Sequence, residues 1–117
     1  MQDPRKNDLK KLTNAISFLQ KRKESHEQEL LFEEIQLKRI LAVQDAAHKK
    51  IEQMAKMQDL QWLLSQDRHE LNKLMETLKT FLDMNQDMQD TGFYKAATIY
   101  IDEHCNESEL KAPQLPQ

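Results

Sequence analysis

The chain has 117 residues, 38% of them apolar and 32% charged, with a formal net charge of −3. Ordinary soluble domains carry roughly 45–50% apolar and 25% charged residues, so this balance is too thin for a deep globular core and suits a narrow apolar stripe shared by a few helices. A single cysteine, Cys105, excludes an internal disulfide, and the lack of any run of about 18 apolar residues excludes a helical membrane span.

In chain order, residues 1–6 are expected to be a flexible N-terminus, with Pro4 near the first helical turn. From Arg5 to Thr91 there is neither glycine nor proline. Glycine supplies the positive φ of tight turns, and proline removes a backbone donor. Without them, residues 7–90 are predicted to form long helices in a coiled-coil or bundle domain. Leu9, Leu12, Ile16 and Leu19 alternate gaps of three and four, which is a heptad seam. Its register continues through Lys23, His26, Leu30, Glu33, Leu37, Ile40 and Gln44 to Ala47, Ile51 and Met54. A stronger seam comes next, at Met57, Leu60, Leu64, Asp67, Leu71, Leu74, Leu78, Phe81, Asn85 and Met88. The two seams are one position out of phase between Met54 and Met57, where a local change of winding or packing partner is expected.

Two folded-back layouts satisfy this pattern. In one, a hairpin reverses near Asp45–Lys50 and sets Leu9 against Met88, Leu19 against Leu78 and Leu37 against Leu60. In the other, helices over 7–23, 26–64 and 67–89 form a three-helix arrangement. An unbroken rod of this length would extend about 130 Å at 1.5 Å per residue and would leave its stripe in water unless several copies associated. The hairpin has a second argument. Arg5, Lys6, Lys10, Lys11, Lys21, Arg22 and Lys23 make the start basic, while Asp83, Asp87, Asp90, Asp102, Glu103, Glu107 and Glu109 make the end acidic. An antiparallel pairing sets these fields side by side. Polar residues in the seam (Lys23, His26, Glu33, Gln44, Asp67, Asn85) weaken a straight dimer and can specify register.

Gly92 is predicted to cap the preceding helix, with Thr91 or Asp90 starting the next segment. Residues 91–105 are predicted to be a short docking helix, carrying Phe93, Tyr94 and Tyr100, that needs a partner surface because it is too short to stand alone. Residues 106–117 read as a disordered acidic, proline-bearing tail.

No catalytic, cofactor or metal site emerges. His26, His48, His69 and His104 share no helical turn, so no helix presents two histidine ligands on one face. Adjacent His104 and Cys105 point in different directions, which excludes a nucleophile–base pair. One glycine cannot build a phosphate-cradling loop. The basic N-terminal run lacks the interleaved aromatics of a single-strand binder and sits in an acidic chain of pI about 5.8, which argues against nucleic acid as the partner. A membrane surface is the corresponding alternative for the amphipathic stretch around Leu9, Ile16 and Phe18. The composition implies no small-molecule substrate and no enzyme. The lone cysteine fits a reducing, intracellular, cytoplasmic setting, with a disulfide-linked dimer as the competing idea.

The expectation is therefore an all-α protein: an antiparallel coiled coil or slender three-helix bundle with a short C-terminal helix. It is expected to act as a helical protein–protein interaction module, an adaptor, scaffold or assembly subunit that self-associates or takes a helical partner. Trp62, Met75, Met84, Phe93, Tyr94 and Tyr100 are the candidate partner-binding residues, because they are large, apolar or adaptable and lie off the main seam or beyond it. Leu31, Phe32, Ile35 and Leu41 widen the first half beyond what one neighbouring helix covers. The alternatives are a helical chaperone that holds a client, and a basic-helix binder of membrane or nucleic acid.

Overall fold

The computed structural model describes residues 3–43 and 47–111, with side chains described as far as His104. Its described residues form three helices: α1 (Pro4–Leu41), α2 (Ala47–Met84) and α3 (Gly92–Lys111), with a 3₁₀ turn at Gln86–Met88 before α3. The fold is all-α, as the missing glycine and proline require. Two compact units divide the chain: unit 1 takes Met1–Ser17 with Lys73–Gln117, and unit 2 takes Phe18–Asn72.

Local chemistry explains each helix end. Asp3 caps α1: its carboxylate accepts the Arg5 backbone N–H at 3.0 Å, and its carbonyl accepts that of Lys6 at 3.1 Å. Pro4 takes the first helical position, where its missing N–H costs nothing. Helix formation thus starts inside the expected flexible segment. At the far end of α1, Lys38 and Arg39 lie in the last turn, where cations suit the helix dipole.

α1 ends at Leu41 and α2 begins at Ala47, so the chain reverses a few residues before the predicted Asp45–Lys50 turn. Gln44, Asp45 and Ala46 lie outside the described residues. The three-helix layout with breaks near 24 and 65 is replaced by the hairpin, since both predicted breaks fall inside continuous helix.

Asn85 ends α2, with its side-chain amide donating to the Phe81 carbonyl at 2.7 Å and its backbone at φ −131°. Thr91 starts α3: its hydroxyl accepts the Tyr94 backbone N–H at 3.3 Å. Gly92 is consequently the first residue of α3 rather than the cap of α2. α3 then continues to Lys111, past the predicted end at 105, while 112–117 lie outside the described residues.

Burial follows the predicted seam on α1. Leu9, Ile16, Leu19 and Lys23 are buried, and Leu12, His26, Leu30, Glu33, Leu37 and Ile40 are partly buried. The α2 seam runs Gln53, Met57, Leu60, Leu64, Asp67, Leu71 and onward, so it starts one position before Met54. Ala47, Ile51 and Met54 are exposed. The predicted break between Met54 and Met57 is absent: α2 keeps one register from Gln53 to Leu71, after which burial includes Met75 and Leu82, one position beyond the predicted Leu74 and Phe81.

The two units close differently. In unit 1, α3 joins the two long helices, and Leu9, Ile16, Met75, Leu78, Leu82, Met88 and Ala97 are buried. The Tyr94 hydroxyl donates to the Leu82 carbonyl at 3.4 Å, tying α3 to α2. Unit 2 has two helices only, and its buried residues are Leu19, Leu64 and Leu71 together with Lys23, Gln53 and Asp67.

Candidate interaction surface

Unit 2 is organised by polar pairs across its seam. Asp67 projects from α2 with a side chain only 2% exposed, and it accepts Arg22 Nε at 2.7 Å while its second oxygen meets His26 Nδ1 at 2.5 Å. Arg22 also donates to Glu70 at 2.8 Å. The Asp67 and then the Glu70 carboxylates hold the Arg22 guanidinium above its already high pKa. Nearer the loop, the Gln53 amide donates to the Glu33 carbonyl at 2.8 Å and also to the Glu33 carboxylate. Among the described residues, no buried side-chain nitrogen or oxygen lacks a hydrogen-bond partner.

These pairs fix the antiparallel register. They set 22 against 67 and 33 against 53, whereas the predicted pairing of Leu37 with Leu60 would have set 22 against 75. The offset is eight residues at position 22 and eleven at position 33, and follows from the earlier reversal. His26, Glu33 and Asp67, predicted as weak points of the seam, are therefore its register marks, while Lys23 pairs with Glu27 on its own helix.

Arg5 does the same in unit 1. It joins Asn85 at 3.0 Å and Asp87 at 2.8 Å while holding Asp3 at 2.6 Å. Its guanidinium, donating to both oxygens, pulls the Asp3 carboxyl down to about 2 and also lowers that of Asp87. The basic start and the acidic end thus meet through Arg5, as the charge pattern anticipates.

The outer surface of unit 2 is apolar to an unusual degree. Leu31, Phe32, Ile35, Ile51 and Trp62 are each at least half exposed, as are Phe18, Leu41 and Val43. Between Lys23 and Gln53 no described residue is buried at all. Two helices in contact can cover only the stripe between them, and side chains on the far faces stay in water unless something else packs there.

The six residues singled out from sequence do not come together. Trp62 belongs to unit 2 and is 63% exposed, on the face of α2 away from the seam. Met75, expected on a contact surface, is 1% exposed in the core of unit 1. It lies off the two-helix seam, but a third helix in that unit widens the buried sector to include it. Met84 is 78% exposed, close to an open groove lined by Glu76, Thr77, Thr80 and Phe81. Phe93 is exposed, whereas Tyr94 and Tyr100 are half-buried on α3.

The six residues chosen from sequence pass over the apolar cluster of α1. The signal that finds this cluster is stripe width: Leu31, Phe32 and Ile35 sit outside a seam that is already filled by Leu30, Glu33 and Leu37. Among the described residues no group of three His, Cys, Asp or Glu side chains is placed to hold a metal ion, and no helix is long and apolar enough to cross a membrane. The Cys105 side chain lies outside the described set. Compared with known proteins, the chain matches no family model, no curated protein and no solved structure.

Proposed function

We propose that this chain is a non-enzymatic helical interaction module, in which unit 2 is the docking element. The carrying observation is an inversion of the usual burial. Unit 2 encloses Lys23, Gln53 and Asp67 while leaving Leu31, Phe32, Ile35 and Trp62 in contact with solvent. A hairpin built for stability alone would put those apolar groups inside, at a gain of about 1.5–3 kcal/mol for each side chain fully buried. Instead the polar pairs hold the register, and the apolar residues remain available to other helices. Recognition would be of the helix-in-groove kind, with large apolar anchors supplying affinity and flanking charge setting direction.

Site-specific photo-crosslinking tests this reading. A photoreactive phenylalanine at position 32 or 62, in the full chain inside its native cells, should give discrete protein adducts, whereas one at exposed Asp83 should not. Adducts of equal intensity at all three positions, or none at any, would remove the proposal.

A client-holding chaperone is the second reading, and one feature favours it: exposed Met84 beside Phe81 offers an adaptable thioether next to an aromatic. That reading requires adducts at position 84 to exceed those at 32 and 62. A basic-helix binder of membrane or nucleic acid draws less support, because Arg5 and Arg22 spend their charge on Asp3, Asp87, Asp67 and Glu70.

A further inference from the structure

On the outer face of α1 in unit 2, six exposed residues form a pattern that reads alike in both directions. Glu24, Gln28, Leu31, Phe32, Ile35 and Arg39 are separated by gaps of four, three, one, three and four. Gaps of three and four keep residues on one side of a helix, so all six share the face turned away from the seam. The centre of the pattern is Leu31–Phe32, which are 60% and 58% exposed. Its ends carry opposite charge, Glu24 at one and Arg39 at the other.

A face whose spacing is palindromic and whose end charges are opposite complements itself when turned through a two-fold axis. We infer that a second copy of this chain docks here, with the two α1 helices antiparallel and the axis passing between Leu31 and Phe32. Leu31 of each copy then lies against Phe32 of the other, Ile35 covers the partner's Gln28, and Glu24 faces the partner's Arg39 at both ends. A C2 interface needs this self-complementarity, because the same patch serves both sides. A parallel pairing would set Glu24 against Glu24 and Arg39 against Arg39.

The charge of the surrounding helix agrees at the two ends of the pattern. Residues 24–34 hold Glu24, Glu27, Glu29, Glu33 and Glu34 with no lysine or arginine, whereas 35–41 hold Lys38 and Arg39 with no acid. Turned about the same axis, residues 24–28 of one copy lie along 35–39 of the other, which sets Glu24 and Glu27 near the partner's Lys38 and Arg39, while 29–34 lie along the same segment of the partner. The face spans about 22 Å at 1.5 Å per residue and carries three apolar side chains, which places it at the small end of specific interfaces. The dimer is therefore weak, with a dissociation constant on the order of micromolar.

The inference rests on unit 2 being a docking element and adds the identity of one occupant. Sedimentation equilibrium of the full chain tests it, with circular dichroism confirming helix content for each variant. The native chain should pass from monomer to dimer across roughly the micromolar range. Phe32→Glu, at an exposed position, should weaken association at least tenfold with helicity unchanged.

Glu24→Arg and Arg39→Glu should each weaken the dimer by placing like charges together. The double variant should restore it, and so should an equimolar mixture of the two single variants, which can pair only across chains. Positions 24 and 39 are too far apart on one helix to compensate each other within a chain. A monomer at every concentration overturns the inference, as does a dimer indifferent to Phe32→Glu or single charge reversals that the double variant and the mixture fail to rescue. If the chain stays monomeric while position 32 still crosslinks to another protein, the second-copy inference falls and the docking role stands. If positions 32 and 62 both crosslink to nothing, the docking role falls whatever the mass.

Discussion

Unit 1 and unit 2 draw on the same two helices, yet they solve burial differently. In unit 1 the seam residues of α1 and α2 meet a third helix, and its buried residues are all apolar, from Leu9 and Ile16 to Leu78 and Ala97. In unit 2 the third helix is missing, and half of the buried residues are Lys23, Gln53 and Asp67. Where three helices converge, side chains such as Met75, just off the two-helix seam, become core. Where only two converge, the corresponding off-seam positions stay wet, and Phe32, Ile35 and Trp62 occupy them. The difference teaches that polar pairs can define the alignment of a helix pair that lacks enough neighbours to bury its apolar surface. Stability and specificity are thus divided between the units.

The largest effect that would break this contrast is a cavity. Leu78 is fully buried in unit 1, and Leu78→Ala should cost about 2–5 kcal/mol in denaturant unfolding. Leu31→Ala in unit 2 removes a comparable side chain that is 60% exposed, and should change stability by less than about 0.5 kcal/mol. Equal losses in the two variants would mean that unit 2 has a core of its own and that the contrast fails.

The next effect concerns Asp67. Asp67→Ala removes an acceptor shared by Arg22 and His26, both close to the seam, and should cost about 1–3 kcal/mol. Arg22 is 36% exposed and can return to water, which keeps the loss below that of a wholly buried pair. Asp67→Leu keeps the volume and makes the seam apolar, so it should lose much less stability and can even gain some. The two variants together separate stability from register. If Asp67→Leu destabilises as much as Asp67→Ala, the layer is a stabilising element and not a mark of alignment.

These pairs also explain how far the sequence is legible. Glycine and proline counts give the helices, and heptad spacing gives part of the seam: Leu9, Ile16 and Leu78 lie where the period puts them, whereas Ile51 and Met54 are exposed. The point of reversal is harder to read. The residues around 42–50 are helix formers by propensity, and no glycine, proline or asparagine marks the turn. The register error of eight to eleven residues comes directly from that, since sliding a helix pair by whole turns keeps apolar faces together. Only the pairing of Asp67 with Arg22 and of Gln53 with Glu33 distinguishes the two alignments. Met75 is misplaced for a related reason: whether an off-seam residue faces solvent depends on where α3 docks, and α3 has no period linking it to α2. The candidate interaction surface is half visible, in the width of the stripe around Leu31–Ile35, but the six residues chosen from sequence are scattered over both units.

Two smaller effects sharpen the account of unit 1. Gly92 opens α3, has no neighbour within 4 Å of where a Cβ would stand, and does not adopt a left-handed backbone. Gly92→Ala should therefore stabilise by about 0.4–1 kcal/mol, through a less flexible unfolded chain and better helix propensity. A loss of stability would mean that this residue acts as the turn that its sequence context suggests.

The smallest effect is the acid response of the Arg5 cluster. In the folded chain the Asp3 carboxyl lies at about 2, below its ordinary value of 3.8, because Arg5 donates to it, and Asp87 is lowered by the same guanidinium. A carboxyl whose folded pKa is depressed contributes stability that is fully present above its unfolded pKa and lost as pH falls through the folded one. The cluster's contribution should therefore hold above about pH 4 and fade between pH 4 and 2. Arg5→Met should remove that part of the acid loss of melting temperature and leave the neutral-pH value slightly lower. Because the three side chains are solvent-accessible, added salt should shrink the difference between the two proteins. An acid profile unchanged by Arg5→Met would show that the basic start and the acidic end of unit 1 are held together by apolar packing alone, leaving the charge pairs with a role in alignment just as in unit 2.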